Sequence, residues 1–556
     1  MHNLTQNREL ADLLFPDIQK TPEYYEVLYP KRQLPEGAKV TRFAPSPTGY
    51  VHMGSLYASL VSERLAHQSN GVFFLRVEDT DKKREVEGGV SNIIRALSRF
   101  GISFDEGVTD VDDEKGSYGP YKQSERMEIY KTFAKRLVEK GLAYPCFCSE
   151  EDLDKIRAQQ EEKKETPGYY GEYAVHRNST LEQVREELSR GKPFVLRVKA
   201  PDNPDSRFVF KDLIKGDVEM PENFQDIVLL KSDGLPTYHF AHVVDDHLMR
   251  TTHVTRGDEW LPSAPLHVQL FEMLEWEKPY FAHISPIMKM EGSSKRKLSK
   301  RKDPEADVSF YHEQGFPGIS VIEYLVNLIN SNFEDWRREN PESPNTSFKI
   351  ELERMSVSGA MFDIVKLTDM SKDIVAGMTA EEVYNMSLEW AEEYDSELWA
   401  LLSRDEKYAK RIFSIDRGGE KPRKDIAKWL DVKPNIFYFF DELFARDAAE
   451  GYNFPETIPA DEANRLIREY AKVYNHSDSK DMWFDRVKEF CEVMGYSKDV
   501  KTFKKNPGAY KGHVGDVTGI IRVAVTNRRN TPDLYEIMQV MGENMVMERF
   551  DKAINR

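Results

Sequence analysis

The stretch that most constrains this chain is Thr41-Arg-Phe-Ala-Pro-Ser-Pro-Thr-Gly-Tyr-Val-His-Met-Gly-Ser55. Lys39 to Phe43 is a short β-prone run, followed by a turn stiffened at Pro45 and Pro47 and freed at Gly49. From Val51 the apolar residues recur four apart (Leu56 and Leu60, Tyr57 and Val61, Val61 and Leu65), which predicts a helix. A strand, a Pro/Gly turn and a helix start make an anion site. The helix N-terminus offers unpaired N–H groups and the positive end of its dipole. Gly54 lets a ligand approach the backbone closely, and His52 sets an imidazole donor beside the same terminus. The chain has no G-x-x-x-x-G-K-[ST], and the glycines of this turn are not spaced G-x-G-x-x-G, so the common nucleotide fingerprints do not apply.

Beyond this helix the chain keeps alternating. Gly71-Val-Phe-Phe-Leu-Arg-Val-Glu-Asp-Thr-Asp81 is a continuous β-rich run of the kind buried in a parallel sheet, with acids at its C-terminal end, where open α/β sheets hold ligands. A helix is predicted from about Glu87 to Phe100, giving a doubly wound start. Residues 144 to 225 break the alternation with a charged helix (Glu150 to Lys164), a Gly/Tyr-rich turn, a further helix and a strand at Phe194 to Ala200. It resumes at Asp226, with a hairpin-type Ser-Asp-Gly turn, a strand end at His253 to Arg256 and a helix opening at Asp258 to Trp260. From about 316 the pattern is helical. Before residue 38 there is an extension with a short helix stopped by Pro16, whose role the residues do not reveal.

At 556 residues the chain exceeds one core. No apolar run approaches the roughly 20 residues of a membrane span, the N-terminus lacks an apolar signal region, and the cysteine count of 3 suits a reducing compartment, so the expectation is cytoplasmic. A net charge of −17 argues against holding nucleic acid by bulk charge. Local basic patches remain possible contact faces, at Lys295 to Lys302, Lys407 to Arg411 with Arg417 to Lys428, and Lys501 to Lys511.

The second chemical motif is Lys297-Leu-Ser-Lys-Arg301, preceded by Gly292, Ser293 and Ser294: small, flexible and cationic. Alone it reads as a surface patch. Opposite a phosphate-binding turn, it can close on a polyphosphate. Together the two strings resemble the HIGH and KMSKS signatures of class I aminoacyl-tRNA synthetases, in the Pro-Ser-Pro-Thr-Gly-x-x-His-x-Gly and Lys-Leu-Ser-Lys forms of the glutamyl branch. Ser55 stands where the first signature usually has its second histidine. The resemblance runs from about residue 38 to the C-terminus and is weakest between 330 and 500.

The resemblance implies a Rossmann-like α/β catalytic domain in two halves (38–143 and 226–288) split by an inserted α+β acceptor-stem-binding domain (144–225). A KMSKS loop and stem-contact helical domain (289–380) and an all-α anticodon-binding domain (381–556) follow, the last being of bacterial type. It implies activation of glutamate by ATP with Mg²⁺ and transfer to tRNA(Glu), with tRNA(Gln) as a further acceptor to test, by a monomer. His52, Gly54, Lys297 and Lys300 are the implied catalytic residues. Thr48, Glu259, Trp260 and Ser299 join His52, Gly54 and Lys300 around ATP. A buried substrate carboxylate needs a bidentate cation. Arg42 and Arg256 are the implied pair, with Ser46, Glu78 and Tyr238 at the α-amino and α-carboxyl ends. His242 stands where many bacterial members carry a substrate-facing Asn; beside a carboxylate it is expected to titrate near neutrality. Arg528 and Arg529 are expected to contact tRNA. Some members hold structural zinc at the start of the insertion. Here Cys146 and Cys148 have only His176 and Tyr170 as further donors, short of a closed set, so no metal is expected. The alternatives are a glutaminyl enzyme, a paralogue that ligates glutamate to a modified tRNA base, and a non-catalytic tRNA-binding protein on the same scaffold.

Overall fold

A computed structural model describes residues 2–47, 50–81, 86–110, 113–201 and 203–555. The chain forms two compact units, Met1–Phe310 with Ile322–Asp363, and Tyr311–Val321 with Ile364–Arg556.

In the first unit, helices α1 (His2–Leu14) and α2 (Pro22–Leu28) precede β1 (Val40–Phe43), α3 (Met53–His67), β2 (Val72–Leu75), α4 (Gly89–Ser98), β3 (Glu106–Asp110) and β4 (Asp113–Lys115). Next come α5 (Met127–Glu139), β5 (Ala143–Cys146), α6 (Glu150–Lys163), α7 (Leu181–Ser189), β6 (Val195–Val198), β7 (Arg207–Asp212), β8 (Gly216–Pro221) and β9 (Val228–Leu230). Then α8 (Tyr238–Leu248), β10 (His253–Gly257), α9 (Ala264–Met273), β11 (Tyr280–Ile284), β12 (Met288–Glu291) and β13 (Ser294–Lys297) complete the series.

β1 runs parallel to β2, and β2 to β3; β10 runs parallel to β11. The two sets meet where Thr252 N donates to Val40 O at 3.0 Å. From β1 the sheet therefore grows in one direction through β2 and β3, and in the other through β10 and β11. The order reverses between β1 and β10, the place where open α/β sheets form a ligand crevice beyond the strand ends. Phe73, Phe74 and Leu75 are wholly buried, as a parallel strand covered on both faces requires. α8 is buried almost all round, with Phe240, Ala241, His242, Val243 and Val244 inaccessible, so it is a core helix.

Three details depart from the sequence-based expectation. The β-rich run at 71–81 is strand only over Val72–Leu75; beyond it Arg76 is fully buried, its amide donating to Phe43 O at 3.0 Å, and Glu78 reaches the crevice wall. The boundary drawn at 225/226 cuts a sheet, because β9 pairs with β6, which pairs with β5. The lysine stretch, read as a flexible loop, is half strand: β13 pairs antiparallel with β12 around Gly292, whose φ of +62° suits a tight turn. The N-terminal extension lies along α5 and reaches the end of α8, where Glu26 takes His247 at 2.6 Å and Arg250 at 2.7 Å.

Among its described residues the second unit contains helices and no strand. Its core includes Trp390, Leu398, Phe413, Phe444, Ile467 and Ile520. Thr379 and Glu382 close a capping box, and Gly495 at φ +84° ends the helix Lys480–Met494.

Candidate active site

A cavity of about 530 Å³ opens at the β1/β10 reversal, and its wall includes Arg42, Ser46, His52, Gly54, Glu78, Tyr238, Arg256, Glu259, Trp260 and Lys297. Of the other residues singled out in the sequence, Ser299 and Lys300 stand outside the wall, as does His242. Thr48 lies outside the described residues.

One end of the cavity gathers a helix N-terminus, an imidazole and a lysine. His52 is the N-cap of α3, and its Nδ1 accepts from Gly54 N at 3.0 Å. Burial, then the charges of Lys300 and Lys297, lower the pKa of His52, so the ring is neutral at pH 7. With Nδ1 occupied as acceptor, the proton sits on Nε2, and that nitrogen is the free donor. A Cβ at Gly54 would stand 3.3 Å from Nδ1 and crowd the cap. Lys300 Nζ lies 3.5 Å from Asp307 Oδ2 and 5.2 Å from the centre of the Tyr50 ring, and Asp307 bridges to His52. Lys297 Nζ is 3.9 Å from Glu259. The lysine hairpin is held by Asp303, which sequence reasoning missed. Its 2% exposed carboxylate takes two bonds from Arg296, at 2.5 and 2.8 Å, one from Ser299 N at 3.0 Å, and an ion pair with Lys289 at 3.3 Å.

The other end gathers buried arginines. Arg42 Nε donates to Asp246 Oδ1 at 3.2 Å and Nη1 to Thr255 O at 3.2 Å. Asp246 also takes Arg76 at 2.7 Å, Arg76 reaches Glu78 at 3.1 Å, and Arg126 holds Asp245 at 2.7 Å. In this network Arg42, Arg76 and Arg126 are matched by Glu78, Asp245 and Asp246. Arg256 is different. Its Nε donates to His283 Nε2 at 2.9 Å and its Nη1 to His267 Nδ1 at 3.0 Å, and among the described residues no acid pairs with it. Burial pushes Tyr238 up to about 12, so its phenol stays protonated, and burial also raises Glu78.

His242 corrects an expectation. It is wholly buried behind Tyr238, stacked on that ring at 5.7 Å, with Nδ1 2.9 Å from Asp246 Oδ2. That contact is too poorly aligned to be a hydrogen bond, and neither ring nitrogen has another partner. Burial, outweighing Asp246, pushes its pKa down to about 3. It does not titrate near neutrality, nor does it face the cavity.

Residues 39–369 match the family described as tRNA synthetases class I (E and Q), catalytic domain, and residues 426–554 match an anticodon binding domain. Over 545 residues the chain is 56% identical to a glutamate–tRNA ligase of Clostridium perfringens (strain SM101 / Type A), covering 98% of this chain and 99% of that protein. The chain belongs to the glutamate–tRNA ligases of class I. A glutamate–tRNA ligase of Acetivibrio thermocellus is 50% identical over 98% of this chain and 100% of its own length. The crystal structure of a glutamate tRNA ligase from Elizabethkingia meningosepticum in complex with its amino acid matches with a TM-score of 0.73 at 28% identity, covering 93% of this chain and 99% of that one.

Two further features are not part of the cavity wall. In the insertion, Cys146, Cys148 and His176 bring ligand atoms within 4.8 Å of one another. The nearby phenol is that of Tyr169, 3.3 Å from Cys146 Sγ and 3.5 Å from Cys148 Sγ, whereas Tyr170 bonds to Thr166 O at 2.7 Å. These groups could hold a divalent metal as Cys₂His with a phenol, although they also satisfy one another without one. In the second unit, Arg528 is engaged. Asp447 takes both of its terminal nitrogens at 2.9 Å, and the guanidinium lies 4.1 Å from the centre of the Phe437 ring. Arg529 donates to Asn453 O and Phe454 O at 3.0 and 2.8 Å. Both arginines have intramolecular partners, which weakens the argument that they are free for tRNA.

Proposed function

We propose that this chain joins glutamate to ATP as glutamyl-adenylate and passes the glutamyl group to the 3′-terminal adenosine of tRNA(Glu). One observation carries the reading: a single cavity has at one end a neutral, cap-oriented imidazole with Lys297 in the wall and the charge of Lys300 acting on the ring, and at the other an arginine that has no acidic partner among the described residues. The α-carboxylate oxygen of glutamate attacks the α-phosphorus of ATP. An O–P bond forms, and the bond to pyrophosphate breaks with its electron pair on the leaving group. Such a reaction asks for positioning and charge neutralisation, with no protein nucleophile. His52 Nε2–H and the first amides of α3 donate to the phosphates. Lys297 and Lys300 neutralise the departing pyrophosphate. Lys300 reaches it by leaving Asp307.

Glu259 and Trp260 hold the adenosine, and Thr48 and Ser299 add hydroxyl donors. Mg²⁺ bound to the phosphates would supply further neutralisation; Glu259, beside Lys297, is the wall carboxylate on that side. Arg256 and Arg42 take the glutamate side chain, while Ser46, Glu78 and Tyr238 hold the α-amino and α-carboxyl groups. The domain boundaries follow the family pattern, with the three-stranded β5–β6–β9 sheet assigned whole to the insertion. The chain works as a monomer in the cytoplasm. Of the two arginines, Arg529 contacts the tRNA, and Arg528 serves the fold through Asp447.

Charging purified tRNA(Glu) and tRNA(Gln) with glutamate tests the reading. Charging of tRNA(Glu) supports it, charging of both extends it, and charging of neither overturns it. Zinc has no part in it. Protein purified without chelators should carry far less than one zinc per chain, and a full equivalent would make the Cys146/Cys148/His176 cluster a metal site.

A further inference from the structure

The buried cation at the carboxylate end is unusual in its company. Arg256 is 6% exposed. A guanidinium so placed ordinarily takes an acid, because an unpaired buried charge is costly. Here the acids nearby are committed elsewhere: Asp246 to Arg42 and Arg76, Asp245 to Arg126, Glu78 to Arg76. What Arg256 meets instead are two imidazoles, at 2.9 and 3.0 Å, with the Trp260 carbonyl at 3.5 Å and the Phe281 ring 5.2 Å from the guanidinium.

Hydrogen-bond logic fixes the state of each ring. An arginine has only donors, so both histidine nitrogens facing it must be acceptors. On His283 the acceptor is Nε2, which puts the proton on Nδ1, and Nδ1 lies 2.6 Å from Asp212 Oδ2. Asp212 is itself fixed by the amides of Ile214, Lys215 and His283, at 2.9, 2.8 and 3.0 Å. On His267 the acceptor is Nδ1, so Nε2 carries the proton and gives it to His239 Nδ1 at 3.0 Å. Both rings are thereby held neutral, each with one lone pair aimed at Arg256. β10 and β11 bring one of the pairs together, since Arg256 and His283 are register partners.

We propose that His283 and His267 are positioning residues for substrate selection, orienting Arg256 through neutral acceptors so that its charge stays free for the acidic side chain of the amino acid. An acid in either place would orient the guanidinium equally well and cancel the charge. Asp212 is kept one imidazole away and fixes the tautomer without pairing. The consequence is discrimination: an unpaired cation favours a carboxylate over the neutral amide of glutamine, which a paired one would tolerate.

This inference rests on the glutamate-activating reading above, and the test separates the two. Glutamate- and glutamine-dependent ATP–pyrophosphate exchange is measured on the full chain with tRNA present, giving KM for each amino acid and for ATP. His283→Phe keeps a ring and loses the acceptor; His283→Gln returns an acceptor near the Nε2 position. The Phe variant should raise glutamate KM by about tenfold or more, the cost of a charged hydrogen bond. Its ATP KM should stay near wild type, and the Gln variant should recover most of the loss. His267→Glu, which supplies the missing acid, should lower the glutamate-over-glutamine ratio of kcat/KM by about tenfold or more. Equal glutamate KM in the Phe and Gln variants, or an unchanged ratio in His267→Glu, overturns the inference while leaving the activity standing. If His283→Phe does not fold, the His267→Glu ratio decides. A wild-type chain that exchanges no pyrophosphate with glutamate removes both readings.

Discussion

His52 uses its two ring nitrogens for different ends, one turned back to cap α3 and one left to donate. The two roles can be pulled apart. His52→Asn retains a side-chain oxygen suited to the cap and loses the distant donor, so its thermal midpoint should stay near wild type while kcat for pyrophosphate exchange falls by about 10²-fold. His52→Ala should lose both, with about 1 kcal/mol less stability. If the Asn variant were fully active, the Nε2 donor would have no role. His242 gives a pH prediction. Its folded pKa of about 3 lies below the ordinary histidine value of about 6.5. Its neutral burial is therefore fully compatible with the fold above pH 6.5, and stability is lost as the pH falls from there toward 3. Denaturant midpoints of wild type and His242→Asn should diverge below pH 6.5, with wild type falling faster. Their glutamate KM values should run parallel from pH 6 to 8. At this scale the residues that line the cavity were legible through Arg42, His52, Arg256 and Lys297, because they sit in contiguous strings. The residues behind them were not. His267, His283 and Asp212 reach Arg256 only through strand register and helix packing, which no local string encodes.

The lysine hairpin shows how an element sets the reach of its side chains. Asp303 ties the β13 side of the hairpin to the segment after it, through Arg296 and Ser299 N. Asp303→Ala should free the hairpin and lower kcat by about tenfold, since misplaced transition-state groups cost rate, with glutamate KM unchanged because the carboxylate end is untouched. A rise in glutamate KM alone would contradict this role. The strand–turn–helix start, α4, α6 and the helical second half were readable from periodicity. The placement of β7 was not: it joins β11 through one register pair, Asp212 with Phe281, a contact between segments with no shared pattern. The N-terminal extension was similarly opaque, since its meaning lies in Glu26 meeting His247 and Arg250 more than 200 residues away in sequence.

The whole molecule is acidic, at −17, and yet acts on a polyanion. Contacts with tRNA must then come from local cations whose charge is not already spent internally. Arg528 fails that condition and Arg529, bonded to carbonyls only, meets it. Arg529→Glu should weaken tRNA binding several-fold and leave pyrophosphate exchange at saturating tRNA unchanged. Arg528→Ala should chiefly lower the melting temperature of the second unit, because Asp447 loses its partner; binding titrations and melting curves distinguish the two. The helical character of the second half was visible in the sequence, whereas which surface arginines are engaged depends on partners 75 to 81 residues distant.

On the function proposed above, one cavity selects an acidic amino acid and brings it to ATP. Its most direct test is ATP–pyrophosphate exchange by the full chain with tRNA(Glu) present, comparing glutamate with glutamine. Exchange with glutamate is expected, with a kcat/KM for glutamine lower by about 10³-fold or more, because a cation is then left facing an amide. Exchange with glutamine as fast as with glutamate, or with neither, would contradict it.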